Sequence, residues 1–166
     1  MSLSFEPITL DRQNDYLEVL SRCPQITSDY SFLNLWAWAE EYELRWAWDG
    51  DLIWIRQNLP EQFLWAPVGL WDAVDWQSRL KVNANAQSVF TRVPEMLTNL
   101  WRQRFPQTIR VEEERGSWDY YYRVPDLIEL KGNRYHKKRN LLNQFNRKYE
   151  FSYLPFGADM VKQAMA

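Results

Sequence analysis

Apolar positions recur every three or four residues in some stretches of the chain and every second residue in others, and the two periods predict different elements. Residues 5–8 predict a short strand. Residues 11–20 predict a helix capped by Asp11, with Tyr16, Leu17 and Leu20 on one side. Pro24 closes that unit. Thr27, Ser28 or Asp29 caps a second helix over 31–42, whose stripe is Phe32, Leu35, Trp36, Ala39 and Tyr42, with Trp38 off the stripe. Leu44, Trp46 and Trp48 alternate before Asp49-Gly50, and Leu52, Trp54 and Arg56 alternate after it, which predicts a hairpin. Ile53 and Ile55 make the other face of the second strand apolar too, the pattern of a central strand covered on both sides.

Further strands are predicted over 62–67, 86–92, 108–114, 118–124 and 149–154. Further helices are predicted over 71–80, 95–105, 126–130 and 133–148. The 95–105 helix follows Pro94 and carries Leu97, Leu100, Trp101 and Phe105 as its stripe. Glu95 lies near its positive end, and Arg102 and Arg104 lie near its negative end. This alternation predicts an α/β (α+β) fold: one mixed β-sheet flanked by helices on both faces. The sequence holds no internal repeat and no linker-like stretch. Residues 1–155 are expected to form a single module, and 156–166 the start of a second module or a tail.

The composition adds one anomaly. Of 166 residues, 46% are hydrophobic and 25% charged, as in ordinary soluble domains, but 27 are aromatic, ten of them Trp. Trp36, Trp46, Trp54 and Trp101 sit on regular apolar stripes and are expected in the core. Trp38, Trp71 and Trp76 are the candidates for an exposed or interfacial place. The single cysteine, Cys23, excludes an internal disulfide and a cysteine-based zinc site. The longest apolar runs, such as 33–39, fall far short of the ~20 residues of a membrane span. The first ten residues lack a basic start and a long apolar core, so a cytoplasmic protein is expected.

Chemistry is bounded mostly by what is missing. The one histidine, His136, lies among Arg134, Lys137, Lys138 and Arg139, with no nearby carboxylate to orient it, so a nucleophile–histidine mechanism is excluded. The five glycines are too scattered to cradle a phosphate, and neither a P-loop nor a dinucleotide fingerprint is present. No metal and no cofactor are expected, and no catalytic residue stands out. Glu112, Glu113 and Glu114 fit a solvated strand better than paired acid–base carboxylates.

One segment stands above this background. Residues 131–149 hold four Lys, three Arg and no acidic residue. That is a charge of +7 in a chain whose net charge is −2. On a helix, Tyr135, Lys138, Leu142 and Phe145 fall near one line, which is expected to pack. Gly132 leaves the first amides of the helix accessible. Amides, dipole and clustered cations together predict an anion site suited to phosphate, formed by Lys131, Arg134, Lys137, Lys138, Arg139 and Asn140.

Within the same region, Asp126-Leu127-Ile128-Glu129-Leu130-Lys131-Gly132 and the following Asn133-Arg134-Tyr135-His136-Lys137-Lys138-Arg139-Asn140, then Phe145, closely resemble a motif of the DUF2156 family. That family is similar to the C-terminal domain of phosphatidylglycerol lysyltransferases. Asp29-Tyr30-Ser31-Phe32, Asn34-Leu35 and Trp38 resemble a second motif of the family, as does the aromatic run 118–122. The resemblance implies a fold of the GCN5-related N-acetyltransferase (GNAT) type, usually in two tandem modules. It also implies transfer of an aminoacyl group from aminoacyl-tRNA to a lipid hydroxyl by direct attack. A chain of 166 residues has room for the first module only, and Pro67-Val68-Gly69-Leu70 does not match the pyrophosphate loop of acetyl-CoA enzymes. The expectation is therefore an acyltransferase-related module that is not catalytic alone. Its expected partners are a tRNA or another phosphate-bearing acyl carrier, and a second module or a homodimer partner. The alternative is a non-catalytic module that binds nucleic acid or another protein.

Overall fold

The computed structural model describes residues 3–84 and 87–165. The chain divides into two compact units, Met1–Asp119 and Tyr120–Ala166.

The first unit is built on a sheet with strand order β1-β2-β3-β4-β6: β1 Glu6–Pro7, β2 Arg45–Asp49, β3 Leu52–Gln57, β4 Phe63–Trp65 and β6 Phe90–Thr91. A short β5, Val68–Gly69, also pairs with β3. All pairings are antiparallel except β4 with β6. The predicted hairpin forms, closed by Asp49 opposite Leu52, with Gly50 in the left-handed region at φ +62°. Trp46 lies opposite Ile55 and Ala47 opposite Trp54. Side chains alternate along a strand, so Trp46, Trp48, Ile53 and Ile55 share one face and Ala47 and Trp54 the other.

Helices cover both faces, as predicted. On the Trp46 face lie α1 (Gln13–Leu20) and α2 (Phe32–Ala37), whose Tyr16 and Phe32 rings are 5.8 and 6.4 Å from Trp46. On the Trp54 face lie α3 (Trp76–Asn83) and α4 (Glu95–Arg104). There Phe90 contacts both Trp54 and Trp101, and Trp76 meets Trp101 edge-on at 5.3 Å. Strand β3 is accordingly buried on both sides, as its apolar faces required.

Several expectations need correcting. The second helix ends at Ala37, well short of 42. Phe32, Leu35, Ala39 and Tyr42 point inward, while Trp36 on the flank of that line is 44% exposed. Trp71 and Trp76 are buried, not exposed. Each indole N–H finds a carbonyl, Pro67 O at 2.8 Å and Trp71 O at 3.1 Å, which removes the cost of burying it. The helix predicted over 71–80 begins only at Trp76, where Asp75 caps it by accepting the Ser78 N–H. The strand predicted over 86–92 is reduced to Phe90–Thr91, and Ala86 lies outside the described residues. Residues 108–114 and 118–124 form no strand; a 3-10 turn at Arg115–Ser117 lies between them.

The second unit holds α5 (Val124–Glu129), a 3-10 turn Asn133–Tyr135 leading into α6 (His136–Lys148), and α7 (Val161–Ala164). The predicted strand over 149–154 is absent; those residues carry no regular structure. No helix of the described residues is long and apolar enough to cross a membrane.

Candidate functional site

The basic segment lies in the second unit, where the break between two helices sets its geometry. Pro125 sits in the first turn of α5. Leu130 ends that helix in the left-handed conformation, φ +47°, with its N–H on Asp126 O at 2.9 Å. Gly132 follows at φ +87°, a value that favours glycine. The 3-10 turn then begins, and its Tyr135 is buried.

The six residues expected to hold phosphate fall into two groups. Arg134 donates to the Asp126 carboxylate at 2.7 Å and lies 4.7 Å over the Tyr135 ring. Lys131 pairs with Glu129 at 2.9 Å. Arg139 Nη1 donates to the carbonyl oxygens of Leu130 and, at 2.8 Å, Gly132. These three cations bind their own chain. Lys137, Lys138 and Asn140 are exposed, and neither lysine makes an ion pair with a described residue. His136 is exposed beside them. Exposed pairs such as Lys131–Glu129 contribute about 0–1 kcal/mol and are weakened by salt.

Of the line expected to pack, Tyr135 just before α6 is buried, but no residue of α6 is, and Lys138, Leu142 and Phe145 are exposed. Phe145 instead gathers Tyr149 and Phe151, with ring centroids 5.1 and 5.0 Å away.

The other recognised motif, 29–38, builds structure in the first unit. Ser31 caps α2 by accepting the Asn34 N–H at 3.3 Å, and the Asn34 amide donates to Ser28 O at 2.8 Å. Asp29 pairs with Arg92 at 3.1 Å, and that guanidinium lies 4.4 Å over Trp65. The Tyr30 hydroxyl donates to Arg92 O, and Tyr16 donates to Tyr30 O at 2.7 Å. Asp119 accepts both the N–H and the hydroxyl of Ser28. Arg92 and Asp119 were not singled out from sequence, because their partners lie about sixty and ninety residues away and no local pattern links them.

Burial raises the pKa of both Tyr16 and Tyr30, since an ionised phenol there would lose its water. With the folded value above the unfolded one, this contribution to stability is complete below pH ~10 and falls as pH rises beyond it. Of the nine tyrosines, these two are expected to ionise only as the protein unfolds. Phenolate absorbance followed against pH checks this; two further tyrosines titrating normally in the folded state is the contrary result.

Other chemistry is sparse. A small apolar cavity of ≈ 10 Å³, lined by Leu20, Cys23, Tyr30, Val68 and Trp71 among others, has room for about one water. Cys23 beside it accepts the Gly69 N–H at 3.0 Å, and burial pushes its thiol up, away from a reactive thiolate. Among the described residues no group of three or more His, Cys, Asp or Glu is placed to hold a metal. Glu112, Glu113 and Glu114 are exposed on irregular chain, and Glu114 caps the next turn through the Gly116 N–H.

Comparison with known proteins gives a match to a family model and a match to a solved structure. The model of the family described as "Phosphatidylglycerol lysyltransferase, C-terminal" matches residues 21–166. A crystal structure of a conserved protein of unknown function from Bacteroides thetaiotaomicron VPI-5482 is similar, with a TM-score of 0.78 and 24% identity. The similarity covers 98% of this chain and 57% of that one, so this chain spans little more than half of its neighbour's length. No curated protein matches.

Proposed function

Because the chain belongs to the family of phosphatidylglycerol lysyltransferase C-terminal domains, we propose that it is an acyltransferase-related module of the GNAT type whose basic segment, 131–148, holds phosphate groups of an aminoacyl-tRNA or another acyl carrier in the cytoplasm. The observation that carries this is the pair Lys137 and Lys138. They stand exposed in the first turn of α6, without an ion pair to any described residue, in a segment without a single acidic residue. Positive charge that no described residue pairs, at the amino-terminal end of a 13-residue helix, attracts phosphate both by charge and by dipole. Lys131, Arg134 and Arg139, engaged with their own chain, add their charge to the segment, and Asn140 adds an exposed amide. The module is not catalytic alone: its histidine makes no ion pair with a carboxylate of the described residues, and burial holds its cysteine as a neutral thiol.

Binding of bulk unacylated tRNA, measured across a salt series, tests the proposal. Four or five phosphate contacts give a log–log slope of about −3, from roughly −0.7 per contact on single strands. Replacing Lys137 and Lys138 together by Gln is expected to flatten the slope by about 1.4. Inorganic phosphate competing with tRNA separates a phosphate site from recognition of the whole nucleic acid. Absence of binding at low salt, or a slope indifferent to the two lysines, overturns the proposal.

A second reading, a protein-interaction module, is favoured by the aromatic residues of the second unit. Tyr120, Tyr121 and Tyr153 are each at least 87% exposed, and Phe151 and Phe156 are exposed as well. Such a concentration marks interaction surfaces. A chain that ignores tRNA but sediments as a dimer supports this reading over the first.

A further inference from the structure

We propose that Arg139 is a positioning residue for the basic segment and not one of its phosphate ligands, an inference that rests on the phosphate reading above. In the sequence Arg139 is the third cation of a Lys-Lys-Arg run and looks equivalent to its neighbours. In the structure it reaches back from α6 to the turn before the helix. One guanidinium nitrogen donates to two backbone carbonyls, those of Leu130 and Gly132. Those carbonyls belong to the two left-handed residues that bracket Lys131, at φ +47° and +87°.

A leucine at positive φ is held against its own preference, so it needs a partner that fixes it. The Leu130 carbonyl lies at the end of α5, where no continuing helix bonds it. Gly132 O already accepts the Tyr135 N–H at 3.3 Å, and Arg139 adds a charged donor to the same oxygen. The guanidinium therefore joins the end of α5, the turn and the first turns of α6 in one clasp. Arg134, paired with Asp126 across the same break, is a second clasp.

The clasp decides where the free lysines face. Successive helix residues are about 100° apart. With Arg139 turned toward the loop, Lys137 lies on nearly the opposite side and Lys138 between the two. Both stay in solvent, as observed. Were Arg139 released, the break at 130–132 would loosen and the two lysines would lose their fixed direction relative to it.

Arg139→Lys is the discriminating variant, because it keeps the charge but replaces a planar fork by a point charge unsuited to holding two carbonyls. Binding of bulk unacylated tRNA to the full chain is measured across a salt series. It is accompanied by amide hydrogen exchange at Leu130 and Tyr135, whose N–H groups are bonded within the turn. Arg139→Lys is expected to weaken tRNA binding about tenfold with the salt slope unchanged, and to speed exchange at both amides. Lys137→Gln is expected to flatten the slope by about 0.7 and leave that exchange alone. The inference is overturned if Arg139→Lys binds as the unaltered chain does, or if Arg139→Gln flattens the slope as Lys137→Gln does with exchange unchanged. Failure of the unaltered chain to bind tRNA overturns the phosphate reading separately. The clasp is then judged on exchange alone, and unchanged exchange in Arg139→Lys overturns it.

Discussion

Replacing Trp101 by alanine is expected to lower the free energy of unfolding by about 3–5 kcal/mol, and the same replacement at Trp36 by less than about 1 kcal/mol. Both residues sit on helical apolar stripes, and from sequence alone they are indistinguishable. Their surroundings differ. Trp101 is 3% exposed and meets Trp76 and Phe90 edge-on, with centroids 5.3 and 5.0 Å away. Removing its ring opens a void between α4, α3 and β6 that neighbouring rings are too rigid to fill, so the transfer loss and the cavity term add. Trp36 has nearly half its surface in water already. Urea unfolding with the slope held equal between variants measures both. Equal losses at the two positions would contradict the assignment of the core to the sheet faces rather than to the stripes as such.

The contrast shows where the sequence is legible and where it is not. Periods in the pattern located the hairpin, the doubly covered β3, α4 and the basic helix, because those elements owe their order to local spacing and to burial of a face. The strands expected over 118–124 and 149–154 show the limit. Their aromatic alternation is real, but a strand also needs a neighbour to take its backbone hydrogen bonds, and nothing in a local pattern states whether one is present. The basic segment divides in the same way. Its helix and its charge were visible, whereas the difference between Lys137 and Arg139 depends on a left-handed Leu130, which no residue preference signals. The 29–38 motif was visible as a motif, yet its work in tying Arg92 and Asp119 to the start of α2 is a long-range fact. Trp71 and Trp76 went astray because the true helix starts at residue 76, later than the spacing suggested.

Gly69→Ala is expected to be the other large effect, at about 2–5 kcal/mol, from left-handed strain and overpacking together. Gly69 sits in β5 opposite Leu52 at φ +137°, a region L side chains rarely enter. A Cβ there would drive into the carbonyl oxygen of Asp51 and meet the Leu52 side chain at 3.0 Å. Asp51 belongs to the tight β2–β3 turn and Leu52 to the buried central strand, so neither can retreat without disturbing the hairpin. Gly50→Ala is the control. Gly50 is also left-handed, at φ +62°, but its Cβ would meet nothing within 4 Å, which leaves only the conformational cost of about 1–2 kcal/mol. A second signal separates local from global damage. The Gly69 N–H is the donor on the Cys23 thiol, and moving β5 away removes that donor and opens the half-buried sulfur. Alkylation of Cys23 under folding conditions should therefore accelerate in Gly69→Ala and stay at the unaltered rate in Gly50→Ala. Equal destabilisation by the two glycine variants, with Cys23 equally slow in both, would mean that β5 does not pack against the hairpin as described.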